Sequence, residues 1–538
     1  MTSTLSYLLL QAADAHPDRP AVWSSTGELT YAELCDWSMR LAGALVENGI
    51  EPGDRVAIAM AKDVALPVAI FGTLLAGGAY VPIDYLTPPT RAHAIAADAE
   101  PVAVISSPRT MRAMLPGDTY PAHEGPGDNA PALHWLGRGW FDPDRLPERR
   151  PVSESFHQVQ QLGQLRSPVE VPASALAYIL YTSGSTGRPK GVAHTQASAL
   201  AFVRWAVDAV KLEENDVVSQ HASPSFDLSV FDFFGAAMAA ARLALVPAST
   251  FGRVASLCRF IVATGVTVWY SVPSALLRAS ATESLALLQG SALRQIIFAG
   301  EEIPVGPLRV LWQQHLPPSC RVANWYGPTE TNVCTFHDVT ALDVDGGDPI
   351  PIGRPCPYAT TPLAAEDGPL MPGDAAAELL IASDTLMSGY WKRPDATSRV
   401  FSTGPDGRVY YATGDLVSRD ARGFTFRGRV DRLLKVRGYR VQPEEVEHVL
   451  EQRAEIDKAA VVKHRRDDVD VLAAVVRLAD GGALEHDAVI GHCRRFLPAY
   501  MVPDLILPVG ELPLGPRGKA DYQAVLELVQ SQRDEGQS

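Results

Sequence analysis

The sequence predicts an α/β protein in two parts, a large N-terminal domain of parallel and mixed sheets covered by helices and a smaller C-terminal α/β domain. Three observations predict it. A chain of 538 residues exceeds what one core serves, so two or more domains are expected. Between about 175 and 335 one pattern recurs: a short β-branched run, a loop punctuated by glycine or polar residues, then helix-like periodicity, the order of a largely parallel sheet covered by helices. At 428–438 the string GRVDRLLKVRG breaks a strand-like run with glycine and charge, and a small α/β module follows, which sets a boundary near Asp431 between domains 1–430 and 431–538.

Along the chain, residues 64–83 are apolar enough to raise the question of a membrane span. Two prolines and three glycines interrupt them, and Gly77-Gly78 separates a helix-like half from a strand-like half, so a buried helix followed by a core strand is expected. Residues 106–172 turn rich in proline, glycine and charge and read as a surface excursion or loose loop without chemistry. The runs 217–221, 266–271, 293–298 and 321–326 read as strands, and ligands of such open sheets gather at the carboxyl ends. A net charge of −15 argues against a nucleic-acid binder, and no basic cluster is long enough for an anionic membrane. Six cysteines lack CxxC or CxH spacing, so neither a metal site nor a disulfide framework is indicated, and a reducing cytoplasm fits. The first residues, MTSTLSYLLLQAADAHPDRP, lack the charged start and cleavage site of a signal peptide.

The richest stretch chemically is 182–191, TSGSTGRPKG, directly after an apolar strand. Glycines turn backbone N–H groups toward an anion, Thr182, Ser183, Ser185 and Thr186 add short donors, and Lys190 adds a cation, a set suited to a nucleotide triphosphate. An ordinary P-loop is excluded, because Pro189 precedes the lysine and Gly191 follows it. A solvated turn has the same composition. In Asn324-Trp325-Tyr326-Gly327-Pro328-Thr329-Glu330 a ring, a turn and a carboxylate share one loop, which fits an adenine platform beside a metal–phosphate centre or, equally, a helix cap. In Tyr411-Ala412-Thr413-Gly414-Asp415-Leu416 an unpaired carboxylate after a tight glycine turn suits two ribose hydroxyls or is only a turn residue. Asp227, in FDLSVF, shares a helical face with Phe231 and reads either as an N-cap over core or as a buried carboxylate that wants a cationic partner. Lys519 stands in the glycine-rich turn LGPRGK, where most lysines are simply solvated.

Together these strings resemble the adenylate-forming ligases, especially the amino-acid adenylation domains of nonribosomal peptide synthesis. AYILYTSGSTGRPKGV carries most of the likeness, and LTYAEL, LAGGAYVPID and LPAYMVP match in order and spacing. Ala377 and Ser383 depart from it where the family often has glycine. The resemblance implies ATP and Mg²⁺ as cofactors, with Thr182, Ser183, Gly184, Ser185, Thr186, Gly187, Lys190, Gly300, Gly327 and Thr329 around the nucleotide. It implies Tyr326 on adenine, Glu330 on Mg²⁺, Asp415 and Arg429 at the ribose, and Lys519 as the catalytic cation carried by a mobile C-terminal domain hinged at Asp431. It also implies that Asp227 binds the substrate ammonium.

Its pocket positions fall on Asp227, Leu228, Phe231, Tyr270, Ile297, Ala299, Trp325, Val333, Cys334 and Lys519. The wall is apolar except at its ends, and three rings would consume volume, so a small amino acid is expected. The set is similar to that of stand-alone prolyl-activating enzymes that feed pyrrole biosynthesis, with Trp325 as a departure. No phosphopantetheine-accepting motif follows Lys519, so the expected partner is a separate peptidyl carrier protein. An acid–CoA ligase, an enzyme for another small apolar amino acid and a degenerate binding domain are the alternatives, and Asp227 speaks against the first.

Overall fold

The computed structural model describes residues 4–114, 132–136, 152–155, 163–184, 188–250, 253–277, 283–362, 376–466, 469–479, 483–514 and 520–535. The predicted parallel sheet is present. Strands Pro20–Ser24, Arg242–Leu245, Val217–Gln220, Val268–Ser271, Gln295–Phe298 and Arg321–Tyr326 run parallel at the centre of a nine-stranded sheet whose edges are antiparallel. Their apolar runs are buried on both faces, as strands covered by crossover helices must be.

A second sheet of eight strands holds Arg55–Ala59, Ala79–Pro82, Ala103–Ser106, Leu176–Thr182 and Lys190–Thr195. Here one expectation is corrected. Residues 106–172 do not form only a loose loop: Pro108–Met114 is a helix, and Ala132–Trp135 and Val152–Ser155 add antiparallel strands to the sheet edge. Backbone pairing there outweighs a polar composition, and the remaining positions of 115–162 lie outside the described residues. The glycine-rich stretch joins two strands of this sheet. Leu176–Thr182 and Lys190–Thr195 pair antiparallel, so the loop closes a hairpin, and the helix Gln196–Val210 begins only after Thr195 caps it.

Residues 64–83 resolve as expected, into the fully buried helix Ala65–Leu75 and the strand Ala79–Pro82. Pro67 sits in the first helical turn, where its missing N–H is no loss. Among the described residues no helix is long and apolar enough to cross a membrane, and all six cysteines are unpaired.

A five-stranded antiparallel sheet carries the long strand Val409–Asp420 beside Gly423–Arg429. Beyond it the small lobe comprises the hairpin Leu434–Val436 and Tyr439–Val441, the sheet Ile456–Arg466, Val469–Leu478 and Leu505–Val509, and helices on both faces. Separate apolar clusters fill the two faces of that sheet, one under Pro443–Glu451 and His486–Phe496, the other under Tyr522–Glu535.

The main core lies between the two large sheets. Phe234, fully buried, packs edge-on against Phe71 at 5.4 Å and tilts against Tyr80 at 6.3 Å, tying the helix of one sheet to the strand crossings of the other. Phe234→Ala is expected to lower unfolding free energy by about 3–5 kcal/mol, the cost of an aromatic cavity in a closed core, read as a lower urea midpoint.

Candidate active site

A cavity of about 520 Å³ opens at the carboxyl ends of the parallel strands, between the large sheets and the hairpin 434–441. Thr182, Ser183, Asp227, Leu228, Tyr270, Ala299, Gly300, Tyr326, Gly327, Thr329, Val333 and Asp415 all line it. Residues scattered over more than two hundred positions therefore meet on one surface. Lys190, Glu330 and Arg429 stand directly behind that wall and touch residues of it or each other. Ser185, Thr186, Gly187 and Lys519 lie outside the described residues. Leu514 and Ala520, which flank the Lys519 turn, bridge one another, and Ala520 packs on the small lobe's sheet.

Part of the expected pocket wall is set back. Phe231, Ile297, Trp325 and Cys334 are buried but do not line the cavity. The helix that starts at Leu228 widens into a π-turn at Phe231–Gly235, and the Phe231 ring lies against Gly235. Trp325 packs edge-on to Tyr270 at 5.2 Å and Phe231 at 5.8 Å, and also meets Trp205 at 4.8 Å. The rings form a rigid backing, and only Tyr270 among the three reaches the cavity.

Glu330 is fully buried. One of its oxygens accepts from Tyr390 O–H at 2.7 Å and Lys190 Nζ at 3.3 Å, and the other accepts from Arg440 Nη1 at 2.6 Å. Burial alone would raise its pKa, but Arg440 and then Lys190 outweigh it and hold the carboxyl far below the usual range. The loop 327–332 does not open a helix, so the capping alternative for Glu330 falls away.

Asp415 is corrected from unpaired to paired. It accepts from Tyr326 O–H at 2.5 Å, lies 3.4 Å from Lys435 Nζ, and is gripped by Arg429. Burial opposes ionisation, yet Lys435 and Arg429 keep it a carboxylate. Nor does a tight turn precede it: strand Val409–Asp420 continues through Gly414, whose φ of +71° leaves room for the Arg429 guanidinium where a Cβ would stand 2.5 Å from its Nη2. Two carboxylate oxygens offer about four acceptor directions, so further hydroxyl donors remain compatible with these partners.

Sequence reasoning missed Lys435, Arg440 and Tyr390. The hairpin 434–441 turns through Arg437-Gly438, both at positive φ, and so sets Lys435 directly across from Arg440 on one face. A two-residue turn inside KVRGYR would have disclosed that pairing, but the string was read only as a boundary. Lys435 also stands 5.3 Å from the Tyr326 ring centre, so one face of the expected adenine platform carries a cation in this arrangement.

Comparison with known proteins follows the same lines. The family model described as AMP-binding enzyme matches residues 9–391, and that described as AMP-binding enzyme C-terminal domain matches 445–519. The chain is 37% identical over 523 residues to the L-proline–[L-prolyl-carrier protein] ligase of Streptomyces coelicolor, covering 94% of this chain and 93% of the relative. The protein of the same name from Pseudomonas fluorescens is 32% identical, with 97% and 98% covered. In fold, the chain is similar to the Vibrio cholerae adenylation domain AlmE, solved with glycyl-adenosine-5′-phosphate, at a TM-score of 0.78 and 24% identity over 98% of each chain.

Asp227 differs from the other acids. It is not the side-chain cap of the helix it precedes, and no ion pair to it forms among the described residues. Burial pushes its pKa up to about 6, against a hydrogen bond from Thr329 and the more distant charge of Arg440. A carboxyl whose pKa is raised by folding destabilises the fold once pH exceeds its unfolded value, and fully so above its folded value. Asp227→Asn is therefore expected to raise the stability of the unliganded protein by about 1–2 kcal/mol at pH 8 and to leave it nearly unchanged at pH 4. Thermal melts at the two pH values read the difference.

Proposed function

The chain belongs to the AMP-binding enzyme family, and from that premise and the cavity's geometry we propose that it joins the carboxylate of a small amino acid, L-proline foremost, to AMP and passes the aminoacyl group to the phosphopantetheine thiol of a separate carrier protein. It is a ligase of the AMP-forming kind. Asp227 carries the substrate reading. A half-buried carboxylate without an ion-pair partner among the described residues, lining the cavity together with Leu228, Tyr270, Ala299 and Val333, supports a ligand with one ammonium and a compact apolar body. The protonated secondary amine of proline meets that description.

In the first half-reaction the amino-acid carboxylate attacks the α-phosphorus of ATP, the new acyl–phosphate bond forms, and the bond to the β-phosphate oxygen breaks to release pyrophosphate. Tyr326 supports the adenine, Asp415 with Arg429 the ribose, and Thr182, Ser183 and Gly184, with Ser185, Thr186, Gly187 and Lys190, the phosphates. Glu330 would hold Mg²⁺, whose charge offsets that of the phosphate oxygens when bound. One carboxylate is the share a protein commonly gives this ion when phosphates supply the rest, and Glu330 is kept ionised for it. Two anions meet in this step, and the Lys519 ammonium neutralises the charge that develops.

In the second half-reaction the thiol attacks the activated carbonyl, the thioester forms and AMP leaves. The arrangement in hand suits that step. Ser183 Oγ donates to the Arg440 carbonyl at 2.7 Å, Gly184 N–H meets the Glu445 carboxylate, and Arg440 takes one oxygen of Glu330, so the groups assigned to pyrophosphate and metal are engaged by the small lobe. Rotation about Asp431 exchanges this hairpin for Lys519. A free-standing carrier and a cytoplasmic location belong to the same reading, the latter in keeping with six unpaired cysteines.

Pyrophosphate exchange measured across the amino acids is expected to be fastest with proline, and a preference for a large or acidic substrate would reject the small-pocket reading. Lys519→Ala should slow aminoacyl-AMP formation by about 10²–10³-fold, the scale of losing one preorganised charge at a reacting centre. Asp431→Pro should spare exchange and suppress carrier loading, whereas equal loss of both would argue against the hinge.

A further inference from the structure

The tip of the hairpin 434–441 is a two-residue turn, and such a turn leaves the N–H of its second residue without a partner inside the hairpin. That residue is Gly438, and its N–H does not face water. It is pressed against the large lobe so closely that a Cβ on Gly438 would lie 2.3 Å from Val272 Cγ1, and Gly300 approaches its carbonyl from the other side. A buried backbone donor needs an acceptor. The Glu301 carboxylate provides it, accepting Gly438 N–H on one oxygen and Ser274 N–H at 3.0 Å on the other.

Glu301 has no ion-pair partner among the described residues. Burial pushes its carboxyl up, opposed only in part by the donors of Gly438 and Ser274, and no cation appears among those it meets. It therefore faces N–H groups from both lobes. The tip it holds is also fixed to the rest of the small lobe, because Arg437 reaches both oxygens of Asp504 at 2.9 and 3.0 Å, ahead of the strand Leu505–Val509. A grip on Gly438 is thus a grip on the whole lobe. The neighbouring contact, Phe226 edge-on to Tyr439 at 4.6 Å with Tyr439 stacked on Tyr500 at 3.6 Å, is apolar and fixes no depth of insertion by itself.

We propose that Glu301 is a positioning residue for the transfer half-reaction: by accepting the Gly438 N–H it seats the hairpin tip, and with it Lys435 and Arg440, in the cavity. This rests on the two-step reading above. Glu301 bonds no residue assigned to the nucleotide or the amino acid, so the first half-reaction does not depend on it.

Glu301→Asp keeps the charge and an acceptor for Ser274 but withdraws the carboxylate by one methylene, Glu301→Ala removes both acceptors, and Glu301→Gln keeps the shape with a single acceptor oxygen. Transfer is measured in single turnover from preformed prolyl-AMP at saturating phosphopantetheinylated carrier, beside pyrophosphate exchange. Exchange is expected within about twofold of the parent, while transfer falls about ten- to a hundredfold in Glu301→Asp and Glu301→Ala, the range for losing a hydrogen bond to a charged group. Glu301→Gln should lie between. Limited trypsin digestion reads seating directly: Lys435 and Arg437 are shielded by the docked hairpin, and cleavage there should accelerate in the variants. Unchanged transfer in Glu301→Asp and Glu301→Ala, or an equal fall in exchange and transfer, overturns the proposal. If the parent protein exchanges pyrophosphate but loads no carrier, the two-step reading fails instead.

Discussion

Two carboxylates that cannot stay buried without positive charge organise this site. Glu330 and Asp415 come from different sheets, are almost wholly withdrawn from water, and are both held ionised. An isolated buried carboxylate costs several kcal/mol, so cations must come to them. The large lobe supplies Lys190 and Arg429, and the hairpin 434–441 supplies Arg440 and Lys435. Like charges directly opposed across a strand pair repel, and Lys435 and Arg440 are so opposed. The hairpin's charge and the two acids therefore favour each other, and this pairing acts beside the Arg91–Glu445 ion pair and the Phe226–Tyr439 ring contact in seating the small lobe.

The rest of the molecule keeps those acids in place. Glu330 follows the central strand Arg321–Tyr326 through a loop whose Thr331 and Asn332 are buried, and Met387 N–H bonds the Glu330 carbonyl. Asp415 is carried on a long antiparallel strand bulged at Gly414 so that Arg429 can lie across it. Below them, Trp325, Tyr270 and Phe231 interlock edge-on and Trp205 tilts against Trp325, giving the cavity a backing that rotamer changes do not easily deform.

Much of this was legible in the chain. The β-branched runs ending at Ser271, Phe298 and Tyr326 gave strands because periodicity and glycine punctuation agree there, and residues just past their ends do line the cavity. The glycine-rich string was found by its donors, but its place in an antiparallel hairpin was not, since a polar loop does not reveal what its following strand pairs with. Asp415 was read as unpaired because its partners Tyr326, Arg429 and Lys435 come from three other elements. The π-turn at Phe231 was invisible for a similar reason: one extra residue in a helical turn leaves composition unchanged.

With the site roles proposed above, the charge arrangement keeps the two chemical steps from sharing one geometry. Ser183 O–H donates to the Arg440 carbonyl, the Gly184 N–H lies near the Glu445 carboxylate, and the Arg440 guanidinium lies on Glu330. A phosphate on those donors would lie near the Glu445 carboxylate, and a divalent cation on Glu330 would meet a guanidinium, so each is repelled while the lobe is seated. Glu445 itself is pinned by Arg91, a pair almost fully shielded from water, and cannot swing aside without breaking that pair. On the proposed reading, relief requires the lobe to leave as a body, breaking the Arg91–Glu445 pair as it goes and turning at the short connection around Asp431, whose carboxylate accepts from Arg429.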